Sequence, residues 1–172
     1  LHRPKDALET FQPLTKDRPD DSGALNLIAT AAVQSGDLTT ASAYLQKAVA
    51  VKPNDSEARR KLAIIKIAKG DRAGGLKDLQ DSIERTPTFL RNQYTLMEIY
   101  LREMEYDKVI EVARALQTAD PKNPAPHIGE GLAWTGKRVW SDAISAFKNA
   151  LKIQPGHIGA AYGLVEIHLQ TN

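Results

Sequence analysis

The stretch Ala48–Ala58, AVAVKPNDSEA, places a proline at the end of a helix and restarts a helix three residues later. The residues before it, LTTASAYLQKAVAV (Leu38–Val51), have helical spacing, and KPND stops them. Ser, Asp and Asn side chains accept hydrogen bonds from the first free N–H groups of a helix, so a restart at Ser56 has a cap at hand. One such stop would carry little weight. Prolines, however, stand at 19, 53, 87, 121 and 155, each 34 residues from the next. A fixed period of this size is read before any single element, because it decides the architecture.

Other residues keep the same step. Twelve residues before each proline stand Ala7, Ala41, Gly75, Val109 and Ala143. Eight before stand Phe11, Leu45, Leu79, Ala113 and Phe147, and five before stand Leu14, Ala48, Ser82, Leu116 and Ala150. The pattern predicts one helix pair per repeat. A small residue lets two helix axes approach closely, and a large one a turn further on fills the space beside that contact. Around Ala113 the sizes invert, with Val109 and Leu116 large on either side, so volume is kept while position changes. Counting repeats from Ser22, position 7 carries Leu62, Leu96 and Leu164, and position 8 carries Ala29, Ala63, Met97, Gly131 and Val165. The turns inside the pairs include SGD (Ser35–Asp37) and KGD (Lys69–Asp71), whose glycine suits a helix C-cap. EMEY (Glu103–Tyr106) and GKRVW (Gly136–Trp140) lack a glycine at that place and are expected to close differently.

The 34-residue step, the small residue at position 8, Ala at 20, a large residue at 24, Ala at 27 and Pro at 32 resemble the tetratricopeptide repeat (TPR) family. The resemblance implies an all-α TPR solenoid, a right-handed superhelix of antiparallel helix pairs with about ten helices. It covers residues 1–172 as a single array. Residues 1–21 would be the second helix of a preceding repeat; 22–55, 56–89, 90–123 and 124–157 are full repeats, and 158–172 is the first helix of a further one. A narrower likeness lies in GDLTTASAYLQKAVAVKPNDSEARRKLAIIKIAKGD and DPKNPAPHIGEGLAWTGKRVWSDAISAFKNALKIQP. These are similar to the TPR-repeat lipoprotein of bacterial PEP-CTERM and exopolysaccharide systems.

Composition excludes several classes. Of 172 residues, 42% are hydrophobic and 26% charged, and the net charge is +2. That balance is neither disordered nor basic enough to seek nucleic acid or anionic lipid. No apolar run reaches membrane-spanning length, and no signal-peptide h-region is read in these residues. The start at Leu1 reads as an excised segment. With no cysteine, disulfides, thiolate metal sites and cysteine nucleophiles are absent. The four histidines are accompanied by no HExxH motif, serine elbow or metal-spaced carboxylate pair, and GHIGAAYG (Gly156–Gly163) has no phosphate-loop spacing. The chain is therefore read as no enzyme, with no cofactor, no metal and no nucleic-acid partner. His168 falls at a packing position, and His157 is read as solvated. ARRKLAIIKIAKG (Ala58–Gly70) is a solvated basic face, and Trp134 and Trp140 are core. Pro13 should kink or split the helix that holds it.

In TPR proteins the groove is lined by fixed positions of the first helices. Carried onto this sequence, the peptide-binding set is Asn26, Thr30, Arg60, Ile64, Ile67, Arg91, Tyr94, Glu98, Leu101, Ile128, Leu132, Tyr162, Glu166 and Leu169, with Val33 beside them. YTLMEIYL (Tyr94–Leu101) and YGLVEIHL (Tyr162–Leu169) repeat Tyr-x-x-x-Glu-x-x-Leu, and residues four apart share a helix face. The chaperone carboxylate clamp of the family is not matched, because its positions read Asn26, Thr30, Lys61, Arg91 and Thr95. The function expected is a scaffold that binds a protein or peptide partner in the groove, in bacterial envelope or exopolysaccharide assembly or in protein sorting. The alternatives are a targeting domain of a larger enzyme such as a glycosyltransferase, and self-association through the last helix, where Leu164 and Val165 would lie partly uncovered. The compartment stays open, periplasmic or lipid-anchored on the narrower likeness and cytoplasmic otherwise.

Overall fold

The computed structural model describes Pro13 and residues 19–171. The helix expected over residues 1–21, with its kink, lies almost wholly outside them. The described residues form nine α-helices and no strand. They are α1 (Ser22–Gln34), α2 (Leu38–Val51), α3 (Ser56–Ala68), α4 (Arg72–Arg85), α5 (Arg91–Arg102), α6 (Tyr106–Ala119), α7 (Ala125–Gly136), α8 (Trp140–Ile153) and α9 (Ile158–Thr171). The chain divides into two compact units, residues 1–89 and 90–172.

In the first unit α1 packs on α2, α3 on α4, and α2 on α3. Leu25, Ala29 and Ala32 of α1 meet Ala41, Leu45 and Ala48 of α2, with Ala58 and Ile65 of α3 closing the cluster. The periodic residues of α4, Gly75, Leu79 and Ser82, are buried as well. In the second unit each helix packs on the next, from α5 to α9. Val109, Ala113 and Leu116 are buried in α6, and Ala143, Phe147 and Ala150 form a cluster with Ala160 and Ile167 of α9. Trp134 and Trp140 are half-buried against that cluster, as the core reading expects. Residue sizes at repeat positions 8 and 24 vary inversely: Ala29 with Leu45, Ala63 with Leu79, Met97 with Ala113, Gly131 with Phe147. The last pair is the extreme case, since a Cβ added to Gly131 would stand 2.8 Å from Cε1 of the Phe147 ring.

The prolines are explained by the turns between pairs. The Asp55 N–H donates to the Lys52 carbonyl at 2.9 Å, and Phe89 to Thr86, Asn123 to Asp120 and His157 to Gln154 repeat the bond. Pro53, Pro87, Pro121 and Pro155 each occupy the second place of that four-residue turn, where the fixed φ is already correct and the missing N–H leaves no bond unmade. Except at α5, which has no side-chain cap, the next helix then opens on one. Asp21 Oδ1 accepts from Gly23 and Ala24, Asp55 Oδ1 from Ala58, and Asn123 Oδ1 from Ala125. His157 stands at the same place and is not merely solvated, because its Nδ1 accepts from the Ala160 N–H at 3.3 Å.

The turns inside the pairs correct the expectation that two of them close differently. After α1, Gly36 N–H reaches the Val33 carbonyl and Asp37 N–H the Ala32 carbonyl, at 3.0 and 2.9 Å. This double bond pattern needs a left-handed residue just past the helix. The same pair of bonds closes after α3 (Gly70, Asp71), α5 (Met104, Glu105) and α7 (Arg138, Val139). The left-handed residues are Gly36 (φ 80), Gly70 (φ 95), Met104 (φ 59) and Arg138 (φ 60), at 34-residue intervals. Unpaired helix carbonyls thus impose the geometry even where a side chain must bear the crowding. The left-handed region costs an L-residue about 1–2 kcal/mol, and glycine loses part of that advantage to the entropy of its unfolded chain. Met104→Gly and Arg138→Gly should each raise stability by about 0.5–1 kcal/mol, read as a higher urea midpoint at constant slope. Unchanged midpoints would show that the crowding carries no such cost.

Candidate functional site

In the first unit the register brings α1 and α3 side by side, and polar groups fix their spacing. Asp55 Oδ2 accepts from Asn26 Nδ2 at 3.0 Å and from Ser22 Oγ at 3.5 Å. The Asn26 amide nitrogen also donates to the Ser22 carbonyl, which sets its orientation and leaves Oδ1 buried without a partner. Further along, Lys61 Nζ donates to Thr30 Oγ1 at 2.9 Å. Beyond this bridge the two helices and the start of α2 enclose an open pocket of about 290 Å³, lined by Thr30, Val33, Leu38, Lys61, Ile64, Ile65 and Ala68. Val33 and Ile64 keep 43% and 38% of their surface exposed, so the pocket has an accessible apolar wall.

Of the residues expected here, Thr30 and Ile64 line the pocket together with Val33. Asn26 serves the Asp55 bridge instead. Arg60 pairs with Glu57, its Nη2 2.7 Å from Oε1. Ile67 lies against α4, its Cγ1 2.5 Å from where a Cβ on Gly75 would stand. The basic helix α3 spends its other charges locally as well, Arg59 on the Pro53 carbonyl and Lys66 on Asp78. Lys61, Leu38, Ile65 and Ala68 were missed. Lys61 sits at repeat position 6, a carboxylate-clamp position of the family that the peptide-binding set above leaves out, and the i, i+3 and i+7 spacing of Lys61, Ile64 and Ala68 puts the three on one face of α3.

In the second unit the two Tyr-x-x-x-Glu-x-x-Leu stretches are not equivalent. Tyr94 is half-buried, and its hydroxyl donates to Asp120 Oδ2 at 2.9 Å, an oxygen that also accepts from Asn123 Nδ2. Tyr162 is 67% exposed. Glu98 is exposed and Leu101 half-buried, while Glu166 accepts from Gln170. Arg91 is exposed at the start of α5, and Ile128 packs on the α8–α9 cluster. Leu132 is 40% exposed. Ile158, Tyr162, Val165 and Leu169 form an exposed stripe along α9, wider than the partly uncovered pair expected from the sequence. His168, expected to pack, is exposed there too.

Glu130 is a hub that the sequence did not signal. Its side chain is 12% exposed and accepts from Arg114 Nε, Gln117 Nε2 and Trp134 Nε1. His127 stands a turn earlier with Nδ1 buried and unpartnered. Burial lowers its pKa, opposed by the charge of Glu130. These contacts tie α6 to α7 rather than form a reacting centre.

Burial first, then the hydrogen bond to Asp120, raises the Tyr94 phenol above its ordinary value near 10. Tyr94→Phe should cost about 1.5–2 kcal/mol at neutral pH, the lower range for a hydrogen bond to a charged group. Because the unfolded tyrosine releases its proton first, this contribution is intact below a pH of about 10 and is lost above it. The gap between wild type and variant in denaturant melts should therefore narrow above that pH. A constant gap would rule out the Asp120 bond as its source.

The comparisons with known proteins fit this geometry. A tetratricopeptide-repeat family model matches residues 1–65, and no curated protein matches the sequence. Among solved structures, "Crystal structure of MamA protein" has a TM-score of 0.71 at 23% identity, covering 87% of this chain and 81% of that one. TTC0263, a thermophilic TPR protein of Thermus thermophilus, has a TM-score of 0.72 at 18% identity, covering 97% and 91%. YrrB, described as a TPR protein with an unusual peptide-binding site, has a TM-score of 0.70 at 16% identity, covering 92% and 82%. The fold is that of the TPR solenoid proteins. The repeats read in the sequence are of tetratricopeptide type over the residues matched. Among the described residues no helix is long and apolar enough to cross a membrane.

Proposed function

We propose that this chain is a non-catalytic scaffold that takes an extended segment of a partner protein, with the α1–α3 pocket as a docking point. The carrying observation is the open apolar pocket bounded by Val33, Leu38, Ile64, Ile65 and Ala68. Small concave sites with a few placed polar groups are where binding energy concentrates. A peptide-binding site reported for YrrB, a protein of the same fold, supports the reading by analogy. In the cell the role is read as envelope or exopolysaccharide assembly, and its support is the sequence likeness in the two stretches quoted above.

A peptide-display selection against the chain should enrich segments with an aliphatic anchor. Ile64→Asp, at a position already 38% exposed, should keep the thermal midpoint within a few degrees. It should weaken enriched peptides at least tenfold, about 1.4 kcal/mol. Undiminished binding by this variant would move the docking surface elsewhere.

A further inference from the structure

We infer that the α1–α3 pocket takes a segment in which a large aliphatic side chain is followed by an acidic one, the carboxylate lying against Lys61. The inference rests on the docking reading above and adds the chemistry of the occupant. The Lys61 ammonium is part of the pocket wall, its side chain 24% exposed. Its hydrogen bond goes to Thr30 Oγ1, and the Thr30 hydroxyl gives its own proton to the Asn26 carbonyl at 2.8 Å. The close hydrogen bond of the cation therefore goes to a neutral acceptor, and its ion pair is the longer one. The Glu57 carboxylate stands 3.7 Å from Lys61 Nζ and takes Arg60 at 2.7 and 3.1 Å.

Whatever fills the pocket shuts water away from Lys61. Arg60 and Lys61 share the single Glu57 carboxylate. A purely apolar occupant would therefore strip the ammonium of solvent with only that shared and more distant counter-charge left to it, and an ion desolvated without full compensation is costly. A carboxylate beside the apolar side chain removes that cost and adds a charge-assisted hydrogen bond. The volume of about 290 Å³ lies at the small end of ligand pockets and suits one or two side chains rather than a folded element.

Capped hexapeptides of one backbone, with Leu-Glu, Leu-Gln, Leu-Lys or Ala-Glu at the centre, are titrated into the 172-residue chain while amide NMR shifts are followed. Leu-Glu should move the amides of Thr30, Val33 and Ile64 and bind about three- to fivefold tighter than Leu-Gln, the factor of a partly exposed ion pair. Leu-Lys and Ala-Glu should bind more weakly than either. The Leu-Glu advantage should close at high salt and in Lys61→Met, with Lys61→Gln as the second variant if the first melts early. Equal binding of Leu-Glu and Leu-Gln, or an advantage that survives both variants, overturns the inference and leaves the docking reading standing. An uncapped peptide ending in Leu that binds where internal Leu-Glu does not overturns it in favour of a chain end. If no peptide moves those amides, both fall together.

Discussion

Replacing Phe147 with alanine should destabilise the second unit by about 3–5 kcal/mol, the range for emptying a buried aromatic site. The ring is fully buried in α8, and glycine backbone of two other helices lies close against it. A Cβ on Gly131 of α7 would stand 2.8 Å from the ring, and one on Gly163 of α9 would stand 2.5 Å away. The two glycines have no side chains with which to fill the void, so at these contacts the cavity closes only by moving backbone. That places the cost in the upper part of the range. Urea unfolding followed by circular dichroism should show the midpoint fall for residues 90–172. A loss below about 1 kcal/mol would mean that the helices collapse onto the site without strain.

Gly131→Ala should be harmful although alanine is the better helix former. The gain in helix propensity is about 1 kcal/mol. Against it stands a methyl group forced to 2.8 Å from the Phe147 ring, which Gly163 also approaches closely. Overpacking of this kind costs about 1–3 kcal/mol and occasionally more, so the net change should be a loss. Combining it with Phe147→Leu should recover much of that loss, because Ala with Leu is the pairing at the same two positions in Ala29–Leu45 and Ala63–Leu79. The double-mutant cycle should return a favourable coupling of about 1 kcal/mol or more. Strict additivity would show that the sizes at the two positions are independent.

That pairing was legible in the sequence, because the proline step fixed which residues to compare, and burial at positions 20, 24 and 27 followed from it. What stayed hidden depended on bonds rather than on periods. Met104 and Arg138 could not be recognised as left-handed residues, since the rule for such places looks for glycine, while the demand comes from carbonyls earlier in the helix. His157 is an unusual cap and reads as a loop residue. Tyr94 and Tyr162 share a local pattern, yet the partner that distinguishes them, Asp120, lies 26 residues from Tyr94 in a turn without a matching acid in the other repeats. In the candidate site Thr30, Val33 and Ile64 were readable from groove positions. Lys61 was not, because its role depends on how closely α3 approaches Thr30.

Asp55 carries a consequence for how the first unit comes apart. It belongs to the turn that ends α2, caps α3 through Ala58, and holds Ser22 and Asn26 of α1. In repeat arrays each unit is stabilised mainly by its neighbours, so cooperativity depends on what the units share. A single residue whose carboxylate holds α1 and α3 and whose N–H closes the turn after α2 cannot be released by one of them alone. Local opening at this point therefore spreads across the repeat boundary, and α1 to α3 behave as one foldon rather than as a hairpin followed by a separate helix.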